Sequence, residues 1–174
     1  MISNSLEFQF PLWLVSIDLR KAFDRVDHVA LFAALENQGL DPQYINLLRA
    51  LYSKREGCVD SIRFDIKRGV RQGDILSPLL FNAVLECAMR KWKEKLVPDG
   101  GFALHSNLEH ERLTNIRYAD DIIMFAKSID EAQRMIELLV EVFADCGLEL
   151  NAKKTKILST STTSTQQVSL IIEY

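Results

Sequence analysis

Tyr118-Ala119-Asp120-Asp121, followed directly by the apolar run Ile122-Ile123-Met124-Phe125-Ala126, constrains this chain more than any other stretch. Two acids in a tight turn between two apolar strands put carboxylates at the tip of a hairpin, where a third carboxylate can join them and hold metal ions. Asp18 is the candidate for that third acid. It ends Leu12-Trp13-Leu14-Val15-Ser16-Ile17, a run that reads as a buried strand. An Asp-Asp pair by itself is more often a plain turn, its side chains bonding nearby backbone N–H groups. Two acidic sites far apart in sequence, each closing a strand, suggest instead one Mg²⁺ site for phosphoryl transfer.

The elements between those sites read as follows. Val29 to Gln38 has the pattern of a short helix stopped at Gly39, and Asp41-Pro42 supplies an N-cap and a first-turn proline for a helix through about Tyr52. Ile62, Phe64 and Ile66 alternate with Arg63, Asp65 and Lys67, which is strand period. Ser77-Pro78 reads as the cap and first turn of a helix running to Lys95, in which Leu79, Leu80, Ala83, Val84 and Cys87 recur at helical spacing. Residues 97–113 are polar and read as a loop or loose hairpin. Ser128 and Glu131 have capping-box spacing before the stripe Ala132, Met135, Ile136, Leu139 and Phe143, and Gly147 provides the stop. With strands at about 12–18, 58–67, 115–118, 122–126 and 156–159, the order predicts an α+β domain, an antiparallel sheet with helices packed on one face.

Three further blocks sit in order around the acids: Ser16-Ile17-Asp18-Leu19-Arg20-Lys21-Ala22-Phe23-Asp24, Arg68-Gly69-Val70-Arg71-Gln72-Gly73-Asp74, and Gly147-Leu148-Glu149-Leu150-Asn151-Ala152-Lys153-Lys154-Thr155-Lys156. With Tyr118-Ala119-Asp120-Asp121 they closely resemble motifs A to D of reverse transcriptases, and most nearly those of the non-LTR retrotransposon branch. The resemblance covers about residues 12–158 and implies a polymerase palm, that is, an RNA-directed DNA polymerase acting on an RNA template, a DNA primer and a dNTP.

It also implies roles for individual residues. Asp18, Asp120 and Asp121 would hold Mg²⁺, or Mn²⁺, with a backbone carbonyl at Ile17 or Leu19 as a further oxygen ligand. Leu19, Arg20 and Phe23 would line the nucleotide, Phe23 as the bulky gate that blocks a ribose 2′-hydroxyl. Arg71 would reach a phosphate, and Gln72-Gly73 would form the turn beneath the templating pair. Lys154 would donate a proton to departing pyrophosphate.

Composition adds a limit. The chain has 174 residues, 48% of them hydrophobic, enough for one sizeable core. Its net charge of −3 is unlike that of a general duplex binder, whose lysines and arginines neutralise phosphates. The resemblance accordingly predicts a palm over 1–158, with fingers largely absent, followed by a polar Ser/Thr-rich stretch over 159–174 that could begin a motif E strand and no thumb. Such a palm is expected to be inactive as an isolated fragment; the alternative is a non-catalytic remnant or interaction module that keeps the fold. Cys58, Cys87 and Cys146 match no zinc spacing and read as reduced thiols, and His105 and His110 read as loop histidines. No apolar run reaches membrane-spanning length, so no membrane partner is expected and an intracellular location, nuclear or cytoplasmic, is.

Overall fold

The computed structural model describes residues 11–53, 56–60, 62–71, 73–98, 100–103 and 112–160, with the backbone alone for 56–59 and 62–65. The described residues form two compact units. One takes the chain up to Leu19 with Trp92–Glu141 and the residues from Leu150 on; the other takes Arg20–Lys91 and Val142–Glu149.

The first unit is built on a four-stranded sheet in which every neighbouring pair is antiparallel. Its strands are β1 (Trp13–Ile17), β6 (Asn115–Tyr118), β7 (Asp121–Ala126) and β8 (Lys156–Ser159), in the order β6-β7-β1-β8. The apolar runs read from the sequence therefore occupy the two central strands. Alternation gives each face a different fate. Val15, Ile17, Ile122 and Met124 are buried on one face, whereas Ile116, Tyr118, Ile123 and Leu158 stand exposed on the other. One-sided burial of this kind is what helices on a single face produce, so the expected α+β class holds.

At the far end of the open face a small hairpin, β4 (Phe102–Ala103) with β5 (Arg112–Leu113), covers the sheet. Phe102 packs there with Leu12 and Phe125, flanked by Leu14 and Leu113. The expected loose hairpin is thus present; His105 and His110 lie outside the described residues. The helix expected after Ser128 is α5 (Ile129–Ala144), and its stripe Ala132, Met135, Ile136, Leu139 and Phe143 is buried as read. Ser128 Oγ accepts from Glu131 N at 3.1 Å. The Glu131 carboxylate does not complete the box at Ser128 N. It accepts from Lys127 N at 2.6 Å and from Gly101 N at 2.9 Å, while itself buried.

Among the described residues, four helices begin in the second unit. After the short α1 (Ala22–Arg25) comes α2 (His28–Asn37), capped by Asp27, whose Oδ1 accepts from Val29 N at 2.8 Å and Ala30 N at 3.2 Å. Next comes α3 (Pro42–Ser53), whose predicted cap Asp41 accepts from Gln43 N at 2.8 Å. Then α4 begins at Ser77 and extends to Lys95, its second-unit part burying Leu80, Phe81, Ala83, Val84, Leu85, Ala88 and Met89.

Three sequence expectations need correction in this unit. The single strand over 58–67 is a hairpin, β2 (Glu56–Val59) with β3 (Ile62–Asp65), turning at Asp60, whose φ of +47° carries the reversal. Ser77 is inside α4, and its hydroxyl donates to the Arg71 carbonyl at 2.5 Å; the capping oxygen belongs to Asp74, which accepts from Leu76 N at 3.0 Å. Leu79 lies on the outer side of α4, exposed rather than in the core. Among the described residues no helix is long and apolar enough to cross a membrane.

Candidate active site

The sheet register brings the widely separated acids to one end of one pair of strands. β1 and β7 pair from Trp13 opposite Ala126 to Ile17 opposite Ile122. Asp18 follows Ile17 and Asp121 begins β7 just before Ile122, so both acids flank the last pair of this ladder. Across the hairpin Tyr118 pairs with Asp121, leaving Ala119 and Asp120 as the two turn residues. Positive φ is confined to Ala119, at +53°, the sign pattern of a type II′ turn. The acids sit where the open face ends, beside Tyr118, which is 84% exposed. Their backbones adjoin, but among the described residues no three His, Cys, Asp or Glu side chains gather into a ready metal cluster.

Asp18 is held by the loop before β8. Its carbonyl accepts from Asn151 N at 2.7 Å, and its Oδ2 accepts from Asn151 Nδ2 at 3.0 Å. Lys154 Nζ lies 3.8 Å from Asp18 Oδ1. The loop is fixed on itself through the Asn151 carbonyl, which accepts from Lys154 N at 3.0 Å, Thr155 N at 2.9 Å and Thr155 Oγ1 at 3.0 Å. The loop thus carries the Lys154 ammonium to the edge of the Asp18 carboxylate. Leu19 bridges Leu150 and buries its side chain, so only its backbone could touch a nucleotide.

The other sequence candidates lie in the second unit. Arg20 Nη1 pairs with Glu149 Oε1 at 3.0 Å, and Arg25 takes the other oxygen of the same carboxylate. Arg20 is therefore engaged, although its pair is solvent-exposed and weak enough to exchange. The Phe23 ring stacks on Phe81 with centroids 4.7 Å apart and an interplanar angle of 21°. Its carbonyl accepts from Val70 N, and Val26 O from Gly69 N, both at 2.7 Å, so α1 is stitched to the segment leading to Arg71. Arg71 is exposed, and Gly73 has φ +87° with open space around it. Gln72 lies outside the described residues. Asn151 and Glu149 stand in the last motif block without a role implied by the resemblance, and no spacing rule links them to Asp18 or Arg20.

A family model described as "Reverse transcriptase (RNA-dependent DNA polymerase)" matches residues 9–170. The chain is 30% identical over 167 residues to a "Retrovirus-related Pol polyprotein from type-1 retrotransposable element R2" of Popillia japonica, covering 91% of this chain and 22% of that protein. It is 28% identical to the R2 Pol polyprotein of Nasonia vitripennis over 85% of this chain and 14% of that protein. Among solved structures, telomerase of Candida tropicalis, solved with a fragment of telomeric RNA, superposes with a TM-score of 0.66 at 17% identity, covering 94% of this chain and 29% of that one. That likeness shows the fold. The chain spans less than a quarter of either R2 relative, and it belongs to the reverse transcriptase family as a domain of the non-LTR retrotransposon type.

Proposed function

We propose that this chain is the palm of an RNA-directed DNA polymerase, which joins a dNTP to a primer 3′-hydroxyl opposite an RNA template. One observation supports the reading: the β1–β7 ladder ends at Ile17 opposite Ile122, so Asp18 and Asp121 directly flank its last pair, next to the turn that holds Asp120. The primer hydroxyl, giving up its proton to water, attacks the α-phosphorus; a P–O bond forms, and the bond to pyrophosphate breaks. Divalent-metal dependence goes with the family. The donor set fits Mg²⁺, with Mn²⁺ as a substitute, because three carboxylates are hard oxygen ligands and one of them is already oriented by an amide. Metal held by Asp18, Asp120 and Asp121 would supply positive charge for the attacking and leaving oxygens.

The remaining residues bind and orient. Phe23, braced by Phe81, gates against a 2′-hydroxyl; Arg20 and Arg71 meet phosphate; Gly73, with open space around it, lets backbone approach the nascent pair. Lys154 gives its proton to departing pyrophosphate. The exposed apolar face beside the acids offers a floor for the primer end. The protein works inside the cell, in nucleus or cytoplasm, as part of a longer Pol polyprotein.

The test is a chimera in which residues 1–174 replace the matching stretch of an R2 Pol polyprotein, assayed for primer extension on RNA. Asp18→Ala and Asp120→Ala should each lower the rate at least about a hundredfold, since a metal ligand carries several kcal/mol of the barrier. Extension that survives Asp18→Ala would sink the assignment. A second reading, a non-catalytic remnant, draws on the lack of a ready three-carboxylate cluster among the described side chains. A chimera that folds and never extends a primer would favour it.

A further inference from the structure

We propose that Asn151 is a positioning residue for the catalytic carboxylate: its side-chain amide fixes the plane of Asp18 so that Oδ1 is presented toward the partner acids. This rests on the functional reading above and adds to it a residue that the motif pattern does not assign. Asparagine in a turn commonly bonds its own nearby backbone. Here the turn is closed by the Asn151 carbonyl, which takes Lys154 N, Thr155 N and Thr155 Oγ1, and the loop is tied to β1 by Asn151 N on the Asp18 carbonyl. All of those bonds survive without the amide.

The amide itself reaches a residue 133 positions away and donates to Asp18 Oδ2 at 3.0 Å. A carboxylate's terminal torsion is otherwise broad, so one directional donor on one oxygen restricts the other. The only other described contact to that carboxylate is the Lys154 ammonium, 3.8 Å from Oδ1 with 70% of the lysine side chain exposed, too loose to set an orientation. Residues that hold a metal ligand from behind typically change metal affinity or activity about ten- to a hundredfold when removed.

Mn²⁺ binding to the 174-residue chain, read by electron paramagnetic resonance, tests this without requiring polymerisation. Asn151→Ala should weaken Mn²⁺ about tenfold while leaving the metal-free urea midpoint unchanged. Asn151→Ser, which keeps a turn-favouring residue but cannot reach Asp18, should do the same and decides the matter if the alanine variant folds poorly. Thr155→Val loosens the turn without touching the amide and should leave Mn²⁺ binding within about twofold of the original. If it weakens binding as much as Asn151→Ala, the effect is the loop's and the proposal is overturned. Unchanged affinity in both Asn151 variants, with affinity lost in Asp120→Asn, overturns the role of Asn151 and leaves the carboxylate site standing. Unchanged affinity in Asp120→Asn as well removes the site and the proposal together.

Discussion

Gly147 and Gly73 both adopt positive φ, +78° and +87°, but only one is crowded. A Cβ at Gly147 would fall 2.6 Å from the Arg25 carbonyl, whereas one at Gly73 would meet nothing within 4 Å. Both alanine variants carry left-handed strain of about 1 kcal/mol, and Gly147→Ala adds a backbone clash, so it should cost about 2 kcal/mol or more beyond Gly73→Ala in urea unfolding. Equal losses would show that the close approach is relieved without cost. The helix stop at Gly147 was legible in the sequence, because glycine after an apolar stripe ends helices. The partner it must clear was not, since Arg25 is distant in sequence. Cys146, one residue earlier, is a buried thiol whose Sγ lies 3.3 Å from the Phe143 carbonyl. Burial, with Asp145 adding to it, pushes this thiol up from 9.0 to about 11. The folded state therefore keeps the proton after the unfolded state has released it. Stability from this group is complete below pH 9 and is lost as pH rises through 11, by about 2 to 3 kcal/mol. Urea midpoints at pH 8 and pH 10.5 should fall less steeply for Cys146→Ala than for the unaltered chain.

At the scale of elements, the start of α5 depends on one buried carboxylate. Glu131 satisfies Lys127 N and Gly101 N, joining the helix to the residue before β4. Glu131→Ala strands two backbone donors and should destabilise by about 2 to 5 kcal/mol, while Glu131→Gln keeps one good acceptor and should lose less. Thermal unfolding of the two variants checks the order; a loss under about 1 kcal/mol for alanine would mean that water replaces the carboxylate. The capping-box spacing gave the helix its start correctly. It missed where the glutamate points, because a box is a local pattern and Gly101 is a tertiary partner. The same limit explains β2 and β3: alternation from Ile62 marks a strand well, but Asp60-Ser61 lacks the glycine or proline that usually announces a turn. Helices α2, α3 and α5 were legible because caps, stripes and stops agreed.

For the molecule as a whole, residues 1–174 by themselves should extend a primer on RNA about a hundredfold more slowly than the R2 chimera, since positioning substrates supplies much of the rate. A net charge of −3 gives this stretch little general attraction for a polyanionic duplex. Comparable rates would mean that it grips template and triphosphate unaided. The neighbourhood of β1 and β7 was legible because Asp18 ends one apolar run, Asp120-Asp121 precede another, and the motif order is distinctive. The clasp of Asn151 on Asp18 was not, as nothing in composition or period ties a loop amide to a distant strand.

The placement of β1 between β7 and β8 also governs how the chain is made. Leu12 to Ile17 leave the ribosome with both edges bare, and neither neighbour exists until more than a hundred further residues have been added, on the order of 5 to 20 seconds at ordinary elongation rates. An apolar strand with two open edges can pair wrongly during that interval. The yield of folded protein should therefore depend on how long nascent chains are shielded, and slower elongation without added chaperone should lower it.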